Sequence, residues 1–207
     1  MSGQITARIR EKILAGVYPP GSPLLQDSIA AEFGVSKIPV REALVQLRSE
    51  GLVDVFAHRG FLVRPVSASE MQEVFRLRLA IEPVAVAEGS RLAGPGDREA
   101  LKDALDGFAT AMAAADLRHA GDLNYAFHLA LIVPRLQPVT AEILTRLHTL
   151  SQRYVRLHLL PAGRTKRSVK RHRALYDAWV ARKAKEAARL THEHIEEIRV
   201  ELTEAVD

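Results

Sequence analysis

Cysteine is absent from the 207 residues, which excludes a disulfide framework, a thiolate nucleophile and every Cys-based zinc or iron–sulfur centre. Any metal here must sit on histidine, carboxylate or amide donors. Long apolar runs are missing too: none approaches the roughly 18 residues of a membrane span. The opening stretch MSGQITARIREKILAG interleaves Arg8, Arg10, Glu11 and Lys12 with Ile5, Ile9 and Ile13, unlike the continuous apolar core of a signal peptide. The expectation is a cytoplasmic protein with no membrane partner. Neither sign of charge dominates, because 29 Lys and Arg stand against 25 Asp and Glu; the resulting +4 is compatible with an acidic partner without identifying one. Hydrophobic residues at 47% and charged residues at 26% place the chain among ordinary soluble proteins, long enough for one large domain or two small ones.

The periodicity divides the chain into residues 1–66 and 67–207. In the first part Ile5, Ile9 and Ile13 predict a helix that Gly16, Pro19 and Pro20 stop. Asp27 is placed to cap a second helix ending at Gly34. Ser36 is placed to cap a third, which accepts Pro39 in its first turn and runs to Gly51. LVDVF and FLVRPV then predict a hairpin, with AHRG as its turn and Gly60 at the permissive position. Helix, helix, turn, helix, hairpin is a winged helix-turn-helix. Residues 67–207 predict an antiparallel bundle of about six helices, so the fold class is mainly α.

On the third helix Val40, Ala43 and Leu47 share one side, while Lys37, Arg41 and Arg48 fall within about 40° of each other elsewhere. Such a cationic face suits the major groove, where arginine bonds a guanine edge and either base reaches phosphates. His58 and Arg59 stand where a wing touches the adjacent groove or backbone. The alternative is a set of solvated charges, since residues 1–66 hold only 8 basic against 6 acidic side chains.

The run GVSKIPVREALVQLRSEGLV, preceded by YPPGSPL and followed by HRGFLV, resembles the winged-helix domain of the GntR family. That resemblance implies that Ser36, Lys37 and Arg41, with His58 and Gly60 of the wing, contact a double-stranded DNA operator. Two residues depart from the family pattern: Lys37 stands where arginine is common, and Ile38 where threonine is common. Asp27 lies near a position that is basic in some relatives.

Seven of the eight histidines lie beyond the wing, at positions 119, 128, 148, 158, 172, 192 and 194. Asn124 and His128 are i, i+4 on one helix face and can approach a common ion, and His172 and His194 lie on two later helices. By spacing alone, structural or solvated histidines remain the alternative. LRLAIEPVAVAEGS, NYAFHLAL, KRHRALYDAW and the later HEHI resemble the all-helical C-terminal FCD domain of the FadR-type branch, in its compact VanR-like form. The resemblance implies a divalent metal at Asn124, His128, His172 and His194, with Asn124 replacing the usual aspartate; three imidazoles with a neutral amide oxygen remain adequate for Zn2+ or Ni2+. It also places Arg78 at the position of a common arginine. The functional reading of Arg78 is a partner for a small carboxylate effector, and the structural one is an ion pair with Glu82. Trp179 is either core or effector wall. Residues 152–173 carry eight basic side chains and no acid, which reads as a solvated loop, the alternatives being nonspecific phosphate affinity or a bias of the cavity mouth towards acidic effectors.

The resulting expectation is a homodimeric, effector-responsive transcriptional regulator, a repressor by resemblance, on a short inverted repeat. It is not expected to be an enzyme. A metal-dependent hydrolase carrying a winged helix is the rival from another class, but H-E-x-x-H, G-x-S-x-G and a phosphate-binding glycine loop are absent from the sequence. A pure metal sensor is the third reading.

Overall fold

Apolar residues recurring every third or fourth position build nine helices among the described residues, and two short strands pair into a hairpin. The elements are α1 (Ser2–Leu14), α2 (Gln26–Phe33), α3 (Lys37–Ser49), β1 (Val53–Phe56), β2 (Gly60–Val63), α4 (Ala68–Leu92), α5 (Pro95–Ala113), α6 (Leu117–Leu131), α7 (Pro138–Leu159), α8 (Arg164–Val180) and α9 (Ala184–Val206). The structure, a computed structural model, describes residues 2–56, 60–133, 136–159 and 164–206. It forms two compact units, Met1–Ser67 and Ala68–Asp207.

In the first unit Ile5, Ile9 and Ile13 of α1 bury against Ile29 and Ala30 of α2 and Val40, Ala43, Leu44 and Leu47 of α3. Burying a side chain of this size stabilises a fold by about 1.5–3 kcal/mol, so these residues account for the shape of this small unit. Gly34, at φ 67°, ends α2 in the left-handed conformation, which only glycine adopts without strain. Ser36 occupies the N-cap of α3, although its side chain makes no capping bond. The N-cap of α2 is Leu25, so the capping role expected of Asp27 does not hold. Asp27 sits in the first turn instead, where its charge favours the helix dipole, and it pairs with Lys37 at 2.6 Å. A two-pronged bond from Arg10 to Glu50 (2.9 and 2.6 Å) ties α1 to the end of α3. β1 and β2 pair antiparallel from Val53↔Val63 to Phe56↔Gly60. Residues 21–24 run along the outer edge of β2 through the bonds Gly21 N–Val63 O, Val63 N–Ser22 O and Leu24 N–Phe61 O.

The second unit is a bundle of α4 to α9. Its apolar interior forms two clusters, one around Trp179, Leu131 and Leu144 and one around Phe75, Phe108 and Ile198. α4 and α6 approach closely at Gly89, where a Cβ would lie 2.1 Å from the Leu131 carbonyl oxygen, so no larger residue fits without moving a backbone. The basic stretch is not a loop in its described part: residues 152–159 belong to α7 and 164–173 to α8. Ser168, His172 and Leu175 give α8 a buried face, while Arg167 and Arg171 pair with Glu201 and Glu197 of α9 and Arg173 pairs with Asp106 of α5. A run of like charge remains helical here because acids on neighbouring helices answer it.

Candidate functional site

On α3 the buried residues Val40, Ala43, Leu44 and Leu47 hold one side against the core, which leaves Ser36, Lys37, Arg41 and Arg48 exposed on the other. Gly60 opens β2 at φ 71°, exposed and paired with Phe56 at the turn end of the hairpin. His58 and Arg59 lie outside the described residues. An exposed ion pair such as Lys37–Asp27 contributes little to stability. Its effect on this face is electrostatic, because a carboxylate beside the lysine opposes its attraction to phosphate.

In the second unit three helices, α6, α8 and α9, deliver Asn124 and the predicted histidines to one place. Asp116 caps α6 by accepting the His119 N–H at 3.0 Å, which sets the helix whose inner face carries Ala120, Asn124, Phe127, His128 and Leu131. α8 contributes His172 from the row Ser168, His172, Leu175, Trp179, and α9 contributes His194 beside Ile195. One nitrogen from each of His128, His172 and His194 lies within 4.8 Å of the others, and all three rings are buried. The His172 ring packs on Phe108 at 4.5 Å and Phe127 at 5.0 Å, one from each apolar cluster, so the imidazoles stand where the two clusters meet.

Sequence reasoning missed two members of this centre. Glu82 of α4 is fully buried; one of its oxygens lies 3.1 Å from His128 Nδ1 and 3.2 Å from His148 Nε2 of α7. Arg78 donates to Glu82 through Nε (2.9 Å) and Nη2 (3.3 Å), and through Nη1 to Ser151 (3.2 Å). The ion-pair reading of Arg78 is therefore what the geometry gives, and its guanidinium is not free for an effector carboxylate. For Trp179 the core reading is the one the geometry gives: the indole is wholly buried, with its N–H donated to the Leu131 carbonyl at 2.9 Å. The i, i+4 spacing of Arg78 and Glu82, and of Leu144 and His148, was the signal available for these residues.

The hydrogen bonds bear on which ring nitrogens can face the centre. The Ser168 carbonyl, which only accepts, lies 2.8 Å from His172 Nδ1; in the tautomer that donates there, Nε2 offers a lone pair. Asn124 Oδ1 is 2.9 Å from that Nε2; in this tautomer two acceptors adjoin, a pairing that a turned amide or a cation bound by both atoms would resolve. His128 Nδ1 on a carboxylate is the arrangement that aims the other nitrogen at a metal. Among the described residues neither ring nitrogen of His194 has a hydrogen-bond partner, although both are buried. Leaving a buried polar group unsatisfied costs about 1–3 kcal/mol, and a metal would relieve that cost. The donor set and its one orphaned ring fit a divalent ion.

Burial, with the neighbouring His172 and His128, holds the His194 imidazole well below its ordinary range. Burial, reinforced by the Arg78 charge, pushes His148 down to about 4. For Glu82 burial acts to raise the pKa, but Arg78 and the two histidines outweigh it and keep the carboxylate ionised. Between pH 6.5 and about 4 the unfolded chain therefore binds protons at His148 that the fold refuses. The stability from this group is fully present above pH 6.5 and is lost on acidification, by on the order of 3 kcal/mol. Glu82 acts in the same direction below its unfolded value of 4.5. In chelator, the thermal midpoint should fall steadily below pH 6.5; a midpoint constant from pH 7 to about 5 would contradict this accounting.

His194 also borders a cleft of about 190 Å³ between α8 and α9, lined by Arg171, Ala174, Leu190, Glu193 and Glu197. No helix among the described residues is long and apolar enough to cross a membrane.

The family described as bacterial regulatory proteins, gntR family, matches residues 1–63, and the FCD domain family matches residues 73–197. The HTH-type transcriptional regulator BphR of Paraburkholderia xenovorans is 31% identical over 196 residues, which cover 91% of this chain and 80% of that protein. McbR of Escherichia coli, an HTH-type transcriptional regulator, is 28% identical over 144 residues, 70% of this chain and 65% of that protein. The solved structure of E. coli McbR/YncC superposes with a TM-score of 0.86 at 22% identity, covering 100% of this chain and 98% of that one, a likeness of fold. The second unit's bundle and its helix-borne histidines thus fall within the FCD match, and the winged helix within the other. This chain belongs to the gntR family of bacterial transcriptional regulators, with an FCD domain following its DNA-binding domain.

Proposed function

We propose that this regulator is a homodimeric repressor in which residues 1–66 bind a short inverted repeat and residues 67–207 bind a small organic anion beside a divalent metal. The observation that carries this reading is the buried His128, His172 and His194 triad, with both nitrogens of His194 left without partners among the described residues. Asn124 and the three imidazoles would hold the ion. Neutral nitrogen donors with one amide oxygen suit Zn2+ or Ni2+ better than the oxygen-seeking Mg2+ or Ca2+. Once bound, the ion supplies a Lewis-acid centre for an anionic ligand.

Charge supports the choice of an anion. The Glu82 carboxylate is already matched by Arg78 at 2.9 Å, and Asn124 is neutral, so no ligand side chain offsets the charge of a dication. A carboxylate effector completes the balance directly at the metal, without Arg78. The cleft beside His194 offers it a route past the Arg171–Glu197 pair. Effector binding then favours a dimer geometry in which the two recognition helices miss their half-sites. Cytoplasmic location accompanies this role.

Metal content by mass spectrometry on untagged protein prepared without chelator tests the reading. About one ion per chain is expected, and the double variant His128→Ala/His172→Ala should lose the metal and the response to carboxylates while still binding its operator. A wild-type protein that takes up neither Zn2+ nor Ni2+ on titration would remove the metal from the proposal. An operator complex insensitive to metal-ligating carboxylates would remove the effector.

A further inference from the structure

The outward face of α3 carries two apolar residues that folding does not use. Ile38 is 71% exposed and Val45 is 42% exposed. Both are β-branched, and such residues lower helix propensity unless packing compensates. Packing does not compensate here, because Val40, Ala43, Leu44 and Leu47 supply the buried side of α3. At 100° per residue Ile38 lies about 20° from Val45 and about 60° from Arg41, so the apolar row runs beside the cationic one.

Position along the helix separates the two. In a helix-turn-helix the N-terminal turn of the second helix comes nearest the base edges. Ile38 is the second residue of α3. Val45 lies about 10.5 Å further along the axis, beyond the reach of the same base pair. The other long side chain of that first turn, Lys37, is held by Asp27, and an ammonium serves phosphate better than a two-pronged base contact. The C5-methyl of thymine is the apolar group that bases present in the major groove, and apolar side chains pack against it.

We propose that Ile38 is a sequence-reading residue whose side chain packs on the C5-methyl of a thymine in the major groove, beside the base contacted by Arg41. This rests on α3 being the helix that enters the groove. The operator then carries a thymine whose methyl group, and not its hydrogen-bonding edge, is what the protein recognises.

The test uses full-length protein and duplexes it selects from a random-sequence pool. Each thymine of the selected site is replaced in turn by deoxyuridine, which removes the methyl alone. At one position in each half-site the wild type should lose about fourfold in affinity, the worth of burying a single methyl-sized group. Ile38→Ala should bind the thymine duplex more weakly by at least as much, yet lose nothing further on the uridine duplex, so that the two changes are coupled. Wild-type affinity unchanged by uridine at every position would overturn the proposal, as would an Ile38→Ala protein that keeps the whole uridine penalty. If the protein selects a sequence through Arg41 and no thymine responds, only the role of Ile38 fails. If no sequence is selected, the reading of α3 fails with it.

Discussion

Arg41→Ala should lower specific operator affinity by about 10- to 100-fold per half-site, the loss expected when an arginine to a guanine edge, worth about 1–3 kcal/mol, is removed. In a dimer each operator loses two such contacts, so the free-energy loss doubles. The fold should be untouched, because Arg41 is exposed while the neighbouring Val40, Ala43, Leu44 and Leu47 carry the packing of α3. Lys37→Ala should act differently. It weakens selected and unrelated DNA alike and reduces the salt slope by about 1 per half-site, as a phosphate contact does. Fluorescence anisotropy at two salt concentrations separates the cases, with the thermal midpoint as the control for folding. A folded Arg41→Ala protein with wild-type operator affinity would show that this face does not read DNA.

The second large effect concerns the interior. Glu82→Ala leaves the Arg78 guanidinium, 2% exposed, without its counter-charge and takes the shared acceptor from His128 and His148. Removing one partner of a buried ion pair costs about 3–5 kcal/mol, which in a domain of this size corresponds to a drop in Tm of roughly 10 °C. The double variant Arg78→Met/Glu82→Leu should recover much of that loss, because it removes both charges and keeps the volume filled. Metal affinity should not recover with it, since His128 Nδ1 still lacks the carboxylate that orients the ring. Calorimetric unfolding of the single and double variants in chelator gives the stability result, and Zn2+ titration gives the affinity. A Glu82→Ala protein as stable as wild type would mean that water reaches Arg78 and that the pair is not a desolvated one.

The two units differed in how openly the sequence showed them. In the DNA-binding unit every element is short and local: the i, i+4 isoleucines, Gly34 at the turn, Pro39 in a first helical turn and Gly60 at the hairpin each report a nearby backbone state. The capping role given to Asp27 failed, because an acid in the first turn and an acid at the cap satisfy the same helix dipole and differ by a couple of residues. In the bundle, the helix-borne residues Asn124, His128, His172 and His194 converge, yet what surrounds them was hidden. Glu82 is 46 residues from His128 and 66 from His148 in the chain, and helix periodicity says which face a residue occupies, not which helix it meets.

The basic run at 152–173 illustrates the same limit from the surface. Composition alone reads eight cations without an acid as solvated, whereas Glu197 and Glu201 of α9 and Asp106 of α5 answer several of them across helix contacts. Arg78 and Trp179 were equally open until their donors could be traced to Glu82 and to the Leu131 carbonyl.

The sequence by itself therefore determined the winged helix, its cationic face, the helical character of the remainder and the histidines worth following, since all of these rest on contacts a few residues apart. Tertiary structure alone decided which histidines share a centre, that Glu82 and not an outside ligand neutralises Arg78, and that His194 is left unsatisfied, because each is a pairing between helices whose partners are distant in the chain and become neighbours only when the bundle closes.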